Sequence, residues 1–496
     1  MDISDWIYRG EGNSSLVISN IKERKVYKLR KREFVKTECN DTKTVGGEDS
    51  LQRCRRTLQY SEQVLRPLLG EQFVAIAEIV PISKDFINSV SEKVRKSRPL
   101  KRLNTEIDEY SGYGICLPDF CFMQPSNSKN LNPVLCVEIK PKMGLLPDLK
   151  QISPERSIKR SACRFCMYQK LKLSLPNVNP GNHKVEYGTW ESASLYCPLD
   201  LFSGNEDRMM YALNCLIKTP QNNLRVFLNG RLIFANNGRY MPTLDDHKRL
   251  VDILKLQFEK QDKTTEDDHK DFNHSCLQDF LHVIRKVLMV SEVDSESTPR
   301  VSCTRPQTNK HCLASCYKSK SKKESENSSL PSGCILDRIL KVQQYDDLDI
   351  EGIYPLYQRL QEHLAHHPED REKYCLEGPF SQSFIEQLPK MPKLTENINS
   401  SIESTLDYAV QKIREFLIAA TTKDCSIMLT LQQASATQME ESIPSISSRN
   451  GSRFLYQCRI VDLDPKPSTR IPMYDRLDQD ITQYYKKYYE HEDMSS

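Results

Sequence analysis

A buried strand that ends in two lysines is the feature that most constrains this chain. Residues 134–137 form an apolar run that predicts such a strand. The run continues into Lys140 and Lys142, and Pro141 fixes the backbone between them. Two ammonium groups held about two residues apart at the end of a strand suit a polyanion such as a cluster of phosphates. A solvated turn is the alternative for an isolated Lys-Pro-Lys string, so the other motifs decide between the two interpretations.

The bulk composition limits the classes of protein to which the chain can belong. Its 496 residues are long enough for two or three domains and a large core. The formal net charge is only +3, which is not the basic balance of a general nucleic-acid binder. No apolar run reaches about 18 residues, so we expect no membrane span. The 17 cysteines and the lack of a secretory signal predict reduced thiols, in the cytoplasm and/or the nucleus.

The periodicity of apolar residues predicts a chain that mixes helices and strands. Asn229-Gly230 lies between two short apolar runs, which predicts a hairpin over residues 224–234. A one-sided apolar face predicts a helix over 401–420. The other predicted elements are a strand–turn–strand unit over 6–30, helical segments over 50–98, 156–173, 207–218 and 334–366, and strands over 134–139, 425–431 and 454–461.

Three segments are predicted to lie outside the core. Residues 292–333 are rich in Ser, Lys, Thr and Glu and have almost no aliphatic periodicity, so we predict a disordered insertion. Residues 432–452 are polar and lie between two predicted strands, which indicates a mobile loop. Residues 486–496 form a polar tail.

Two aspartates flank the last two predicted strands. Asp424 precedes the first strand, and Asp462 follows the second. If the strands pair as an antiparallel hairpin, both carboxylates lie at the same end of the sheet. Such a pair suits one base and one ligand of Mg²⁺, which prefers hard oxygen ligands. Two acidic turn residues with no shared role are the alternative.

The segment that follows Asp462 carries cations on a proline-rich path. Three prolines between Asp464 and Met473 exclude a regular helix and predict a stiff, extended backbone. Lys466, Arg470 and Tyr474 lie on this path and are candidate contacts for an anion. A solvated loop is the alternative.

One face of the predicted basic helix presents three polar side chains. Arg164, Tyr168 and Lys172 follow at i, i+4 and i+8, so they share that face. They offer a guanidinium, a hydroxyl and an ammonium in a row of about 12 Å, which fits several phosphates on one small ring. An ordinary solvated basic face is the alternative.

A short glycine-containing turn could cover the phosphates of a nucleotide. Gly10 and Gly12 lie between two predicted strands, and Lys28 on the next strand could reach the same phosphates. The signal is weak by itself because two glycines in a turn are common. The chain has no Gly-x-x-x-x-Gly-Lys-Ser/Thr loop and lacks the His-Arg-Asp and Asp-Phe-Gly strings of protein kinases.

The cysteine spacing suggests a structural zinc site. Cys163-x-x-Cys166 has the spacing of zinc ligands, and Cys197 lies downstream, but a second pair is missing. Cys116 is one candidate for a further ligand, and buried unbound thiols are the alternative. A rival cluster within the predicted insertion comprises Cys303, His311, Cys312 and Cys316.

Taken together, these strings resemble the inositol-pentakisphosphate 2-kinase family. The resemblance runs from Trp6 to about Tyr485, interrupted by the insertion. The family's E-x-K-P-K motif is formed here by Glu138, Ile139, Lys140, Pro141 and Lys142. The other matching strings are Gly10–Asn13, Cys197–Gly204, Gln221–Asn223, Asp347–Gly352, Lys423–Met428 and Asp462–Pro467.

The resemblance implies an α+β, two-lobed fold like that of the inositol polyphosphate kinases, with a small N-lobe sheet over 1–150. An enlarged C-lobe would comprise residues 151–291 and 334–485. The implied activity is ATP-dependent transfer of phosphate to the 2-hydroxyl of inositol 1,3,4,5,6-pentakisphosphate, which gives inositol hexakisphosphate (phytate).

The resemblance also implies roles for individual residues. Asp424 would be the base, Asp462 would bind Mg²⁺, and Lys140 would lie between ATP and the substrate. The residues expected on the nucleotide side are Gly10, Gly12, Asn13 and Lys28. The residues expected to contact the substrate are Lys142, Arg164, Tyr168, Lys172, Asn222, Asn223, Lys466, Arg470 and Tyr474. Arg102 matches a further arginine loosely.

One position departs from the family pattern, and other functions remain as alternatives. Tyr168 stands where the family has a histidine; tyrosine donates a hydrogen bond but cannot be cationic. A non-catalytic inositide-binding scaffold on the same fold is the alternative function, although retention of both Asp424 and Asp462 favours an enzyme. An RNA-associated protein is disfavoured by the near-neutral charge. We expect a monomer without direct nucleic-acid or membrane contacts.

Overall fold

Two antiparallel sheets and a set of helices make up the part of the chain that the computed structural model describes. The predicted α+β class is confirmed. Across the helices of this part, none combines the length and the apolar character needed to cross a membrane. The described residues are 3–33, 50–124, 132–147, 152–174, 192–236, 242–258, 269–291, 329–388, 405–434 and 443–495.

The first sheet is built from the N-terminal strands and is covered by a helix. Its strand order is β1-β2-β3-β6-β4, and β5 pairs with the end of β3. Trp6, Leu16, Ile18 and Leu29 are fully buried against the helix Lys84–Val94. The strands are β1 (Trp6–Glu11), β2 (Ser15–Asn20), β3 (Lys25–Glu33), β4 (Glu78–Pro81), β5 (Thr105–Ile107) and β6 (Tyr113–Pro118).

The second sheet combines strands that lie far apart in the sequence. Its order is β11-β12-β10-β7-β8-β9, so β7 lies at the centre between β10 and β8. All six residues of β7 are buried, as the apolar run predicts. The strands are β7 (Val134–Ile139), β8 (Leu224–Leu228), β9 (Arg231–Phe234), β10 (Ser426–Gln433), β11 (Ser445–Ser447) and β12 (Arg453–Val461).

Helices pack on the second sheet and against one another. The largest core joins this sheet to the helices Glu206–Lys218, His269–Leu288 and Ile335–Gln343. A separate core joins Asp349–His366 to Leu406–Thr422. The described helices are α1 (Ser50–Gln59), α2 (Arg66–Leu69), α3 (Lys84–Val94), α4 (Arg164–Ser174), α5 (Pro198–Leu201), α6 (Glu206–Lys218), α7 (Leu244–Phe258), α8 (His269–Leu288), α9 (Ile335–Gln343), α10 (Asp349–His366), α11 (Gln382–Gln387), α12 (Leu406–Thr422) and α13 (Ile471–Ser495).

The prediction of one basic helix over 156–173 is wrong. Residues Pro154–Arg160 form a 3₁₀ segment, and α4 begins only at Arg164. The break follows from tertiary pairing, because Lys159 in the 3₁₀ segment is buried and bound to Asp349 and Asp478. Likewise, the region 50–98 is not purely helical, since β4 lies within it.

The prediction that prolines exclude a helix after Asp464 holds only as far as Arg470. Helix α13 begins at Ile471, and Pro472 occupies its first turn, where a missing backbone N–H costs nothing. Tyr474 therefore lies on a helix. The predicted polar tail over 486–496 coincides with the end of α13, which continues to Ser495.

The predicted insertion and loop are each only partly described. Residues 292–328 lie outside the described residues, but 329–333 belong to the fold, and Leu330 packs on the main core. Within 432–452, β10 extends to Gln433 and Ser445–Ser447 forms β11, whereas 435–442 lie outside the described residues.

The division into lobes stays a prediction. The predicted N-lobe over residues 1–150 includes the E-x-K-P-K strand. This strand is β7, which pairs with β8 and β10 in the second sheet. If that sheet belongs to the larger lobe, the boundary between the lobes falls before Val134 rather than at residue 150.

Candidate active site

The two aspartates singled out from the sequence lie at one end of the second sheet. Strands β10 and β12 pair antiparallel, with Ser426 opposite Val461. Asp462 follows Val461 directly and adopts a positive φ of 63°, which turns the chain away from the sheet. Asp424 lies between the end of α12 and β10, where its backbone N–H donates to Thr421 O. The predicted proximity of the two strand ends is therefore confirmed.

Three lysines contact these carboxylates. Lys140 Nζ lies 2.8 Å from Asp462 Oδ2. Lys142 Nζ lies 2.9 Å from Asp424 Oδ1, and Lys466 Nζ lies 2.9 Å from the other oxygen, Oδ2. The motif after β7, the turn before β10 and the segment after β12 thus meet in one charged centre.

The charge balance keeps both carboxyl groups ionised. Burial by itself would raise the pKa of Asp424, but the ammonium groups of Lys142, Lys466 and Lys140 hold it far below its usual range. Burial likewise opposes ionisation of Asp462, yet Lys140 lowers its pKa to about 2. The side chains of Asp424 and Asp462 are still 52% and 47% exposed, so a ligand can reach the centre.

Buried groups hold the backbone of the lysine motif in place. Asn223 Nδ2 donates to Lys140 O at 3.0 Å, and Lys140 N–H donates to Asn223 O at 2.9 Å. The Tyr196 hydroxyl donates to Pro141 O at 2.8 Å. Lys142 adopts a φ of 62°, a conformation that a non-glycine residue keeps only when its surroundings enforce it. Asn223 thus braces Lys140 through the backbone, whereas the neighbouring Asn222 is exposed.

A chain of polar contacts behind Asp462 was not predicted from the sequence. Ser426 Oγ lies 3.1 Å from both Glu138 Oε1 and Asp462 Oδ2. Glu138 pairs with Arg225, with 2.5 Å between Oε2 and Nη2. Glu138 was identified as part of the motif, but the contacts of Arg225 and Ser426 depend on the pairing of β7 with β8 and β10, which the sequence does not reveal.

The glycine-containing turn is the β1–β2 hairpin, and it contacts the second sheet. A Cβ on Gly10 would lie 3.0 Å from Arg225 Nη1, so glycine permits this close approach. Arg225 Nη1 also donates to Arg9 O at 3.0 Å. Gly12 has open space around it, as a cover over nucleotide phosphates would need.

The flanks of the hairpin are held by buried ion pairs. Glu11 is bound by Lys31 and Arg98, at 2.8 Å in each case, and its side chain is almost fully buried. Asn13 accepts a hydrogen bond from Arg102, so the loosely matched arginine lies at the hairpin tip. Lys28 pairs with Asp464, which connects the first sheet to the segment after β12.

The candidate substrate-binding residues of α4 and of the segment around the start of α13 contact other side chains of the protein. Arg164 is the first residue of α4, and its Nε lies 3.7 Å from Asp478 of α13. Lys172 Nζ lies 4.2 Å from the centre of the Tyr168 ring, a cation–π contact that orders the lysine. Arg470 closes the 3₁₀ turn Ser468–Arg470, and the Tyr474 ring packs near Phe416.

A buried ionic network fixes the position of Arg164. Asp478 also binds Lys159 at 2.8 Å and Arg156 at 3.1 Å. Lys159 in turn binds Asp349 and Glu351 of the Asp347–Gly352 string. Burial raises the pKa of Asp349 to about 6, against the opposing effect of Lys159. The network joins the 3₁₀ segment, α4, α10 and α13, and none of these pairings was predicted.

The three cysteines predicted as metal ligands lie together. The sulfur atoms of Cys163, Cys166 and Cys197 all lie within 4.8 Å of one another, and all three residues are buried. Thiolates bound tetrahedrally at about 2.3 Å from zinc lie about 3.8 Å apart, so the cluster fits three of four ligands. Cys116 is not a member, because it lies on β6 of the first sheet. Residues 303, 311, 312 and 316 lie outside the described residues.

Comparison with known proteins finds relatives along nearly the whole chain. A sequence model of the family described as inositol-pentakisphosphate 2-kinase matches residues 8–480. An inositol-pentakisphosphate 2-kinase of Danio rerio is 34% identical over 98% of this chain and 94% of its own length. The protein of that name from Arabidopsis thaliana is 30% identical over the same shares, and one from Drosophila melanogaster is 26% identical over 47% of this chain and 49% of its own length.

Proposed function

Since the chain belongs to the inositol-pentakisphosphate 2-kinase family, we propose that it transfers the γ-phosphate of ATP to the 2-hydroxyl of inositol 1,3,4,5,6-pentakisphosphate. The product is inositol hexakisphosphate. The observation that carries the proposal is the charged centre in which Lys140, Lys142 and Lys466 meet Asp424 and Asp462. Phosphoryl transfer needs cations for the phosphates, a carboxylate for the accepting hydroxyl and a ligand for a metal ion, and this centre holds all three.

Asp424 is the residue we assign as the base. Its carboxylate accepts the proton of the 2-hydroxyl as the oxygen attacks the γ-phosphate. In the structure both of its oxygens are bound by lysines. The phosphates of the substrate compete for Lys142 and Lys466, because ammonium groups make charge-assisted bonds to phosphate as they do to a carboxylate. Binding of the substrate therefore frees the carboxylate for the hydroxyl.

Lys140 and Asp462 form the side of the centre that faces the nucleotide. Asp462 and the neighbouring Ser426 hydroxyl supply the hard oxygens that Mg²⁺ prefers, so these residues fit the ion. When bound there, Mg²⁺ would neutralise charge on the transferred phosphate. Lys140 then lies between the two phosphate sites, and Lys28 and the Gly10–Asn13 hairpin cover the remaining phosphates of ATP.

The remaining predicted residues bind the other phosphates of the inositol ring. Lys142 and Lys466 approach from the centre, and α4 presents its cations from the side. We assign Asn223 a bracing role, because it is buried against the backbone of Lys140. The residues that we assign to direct contacts are Lys142, Arg164, Tyr168, Lys172, Asn222, Lys466, Arg470 and Tyr474.

A structural zinc ion is part of the proposal. Cys163, Cys166 and Cys197 would supply three thiolates, and the fourth ligand is not among the residues that the structure groups with them. Zinc bound there would fix the start of α4, because Arg164, its first residue, lies between Cys163 and Cys166 in the sequence. We further propose that the protein acts as a monomer on a small molecule, in the cytoplasm and/or the nucleus, without direct nucleic-acid or membrane contacts.

One experiment separates the enzyme from a non-catalytic scaffold on the same fold. Calorimetry measures binding of the pentakisphosphate, and chromatography of the same mixture with ATP and Mg²⁺ measures its conversion. The proposal predicts both binding and conversion to the hexakisphosphate. Binding without conversion would support the scaffold, and neither would contradict the proposed substrate.

A further inference from the structure

Gln343 is a polar residue at a buried position, where an apolar side chain would be usual. It is the last residue of α9, next to the buried face formed by Ile335, Ile339 and Val342. The side chain is 0% exposed, in the middle of the main core. A buried amide costs free energy unless its hydrogen-bonding groups are satisfied, so its partners reveal its role.

The amide of Gln343 makes three hydrogen bonds to backbone groups. Its Nε2 donates to Lys142 O at 2.9 Å and to Thr422 O at 3.3 Å, and its Oε1 accepts from Gly144 N–H at 2.9 Å. Both amide hydrogens are thereby used. A flipped amide would set NH₂ against the Gly144 N–H and oxygen against two carbonyls, so the orientation is fixed by its partners.

These three bonds join the two segments that carry the charged centre. Lys142 and Gly144 belong to the turn after β7, and Thr422 lies two residues before Asp424. The turn is constrained on its other side as well, because a Cβ on Gly144 would lie 2.3 Å from the Phe202 ring. The ion pair between Lys142 and Asp424 is therefore spanned, on the buried side, by a single glutamine side chain.

We propose that Gln343 is a positioning residue for the transfer reaction: its amide sets the separation between the lysine that binds the substrate and the aspartate that accepts the proton. The inference rests on the proposed roles of Lys142 and Asp424. Gln343 itself does not touch the substrate. Its effect follows from geometry, because a displacement of about 1 Å in a catalytic group can lower a rate about a hundredfold.

The test replaces the amide with a side chain of similar size. Gln343→Met keeps the volume but makes none of the three hydrogen bonds. We expect kcat with the pentakisphosphate to fall about ten- to hundredfold and its KM to rise, while the KM for ATP stays within about twofold. Hydrogen exchange should rise in the peptides that contain Gly144 and Asp424 and should stay unchanged in the first sheet.

Gln432→Met is the matched control. Gln432 is also buried, and its Nε2 donates to Asn132 O at 2.7 Å, but it lies at the end of β10 away from Asp424. We expect this variant to keep the wild-type kinetic constants even though it loses a comparable buried bond. Gln343→Asn, which shortens the amide by one methylene, serves as a second variant if the methionine variant does not fold.

Two results would overturn the proposal: wild-type kcat in a folded Gln343 variant, or loss of folding in both variants. The outcome is independent of the exact substrate. If the wild-type protein turns over a different inositol phosphate, the proposed function fails, and the same kinetic comparison made with that compound still decides the role of Gln343.

Discussion

In the proposed reaction, Asp424 can accept a proton only after the substrate has displaced its lysine partners. Each of its two oxygens lies 2.9 Å from an ammonium group, and its pKa is far below the usual range because Lys142 and Lys466 outweigh the effect of burial. A carboxylate bound in this way has little tendency to take a proton.

Asp424→Asn tests this assignment. We expect turnover to fall at least a hundredfold, because general-base catalysis contributes about 10²–10⁴-fold. Affinity for the pentakisphosphate should stay the same or increase, since the substitution leaves Lys142 and Lys466 free of their carboxylate partner. Single-turnover kinetics and calorimetry measure the two quantities. A variant that retains more than about a tenth of the wild-type rate would show that Asp424 is not the base.

The lysines should divide between two subsites. Lys142→Ala and Lys466→Ala each remove a charge-assisted contact worth about 1.5–3 kcal/mol, which corresponds to a rise of about ten- to hundredfold in KM for the pentakisphosphate. Lys28→Ala is the matched variant on the nucleotide side and should raise the KM for ATP instead. Initial rates measured while each substrate is varied in turn distinguish these effects, and a large loss of ATP affinity in Lys466→Ala would place that residue in the wrong subsite.

At this scale the sequence predicted the groups that meet in the charged centre and missed those that hold them. Asp424 and Asp462 could be paired because antiparallel strands bring the start of one beside the end of the next. Arg225, Asp478 and Gln343 carry no local pattern, and their partners lie far away in the chain. The bond between Lys159 and Asp478, for example, joins residues 319 positions apart.

Helix α13 connects α4 to the rest of the fold through Asp478. The carboxylate of Asp478 is 3% exposed and binds Lys159 and Arg156, with Arg164 nearby. Because Lys159 is buried in this network, the preceding 3₁₀ segment does not continue into α4, which begins at Arg164. The spacing of apolar residues gives no sign of this break, so the sequence predicts one helix over 156–173, which is longer than α4.

Asp478→Asn should both destabilise the protein and weaken substrate binding. Removal of one partner from a buried ionic network costs about 3–5 kcal/mol, because the remaining cations lose their compensation. The loss of an anchor for Arg164 should also raise the KM for the pentakisphosphate. Asp480→Asn, an exposed residue on the same helix, is the control and should change neither quantity. Equal denaturation midpoints for the two variants would contradict the role of the network.

The three cysteines beside α4 and α5 are predicted to bind zinc. Elemental analysis of the purified protein should find about one zinc per chain, and the double variant Cys163→Ser/Cys166→Ser should lose it and melt at a lower temperature. Cys458→Ser, which changes a buried thiol on β12, should retain the metal. A metal-free wild-type protein with full activity would rule out the zinc site.

Across the whole molecule, the two sheets carry the residues that we assign to different halves of the proposed reaction. The first sheet carries the Gly10–Asn13 hairpin and Lys28, and the second carries the motif lysines and both aspartates. Contacts of Lys28 with Asp464 and of Arg225 with Arg9 O connect the two halves. The sequence predicted the α+β class because helical and strand periodicities of apolar residues both occur along it. It could not show that β7 is central to a sheet that is completed by β10 and β12, which begin 292 and 319 residues later.

The central claim concerns which hydroxyl receives the phosphate. The direct measurement is incubation of the protein with ATP, Mg²⁺ and each of a panel of inositol phosphates, followed by assignment of the product isomers by phosphorus NMR. The account predicts one main reaction, in which the pentakisphosphate with a free 2-hydroxyl becomes the hexakisphosphate, and no product with Asp424→Asn. Transfer to a different hydroxyl, or equally rapid transfer to inositols with fewer phosphates, would contradict it.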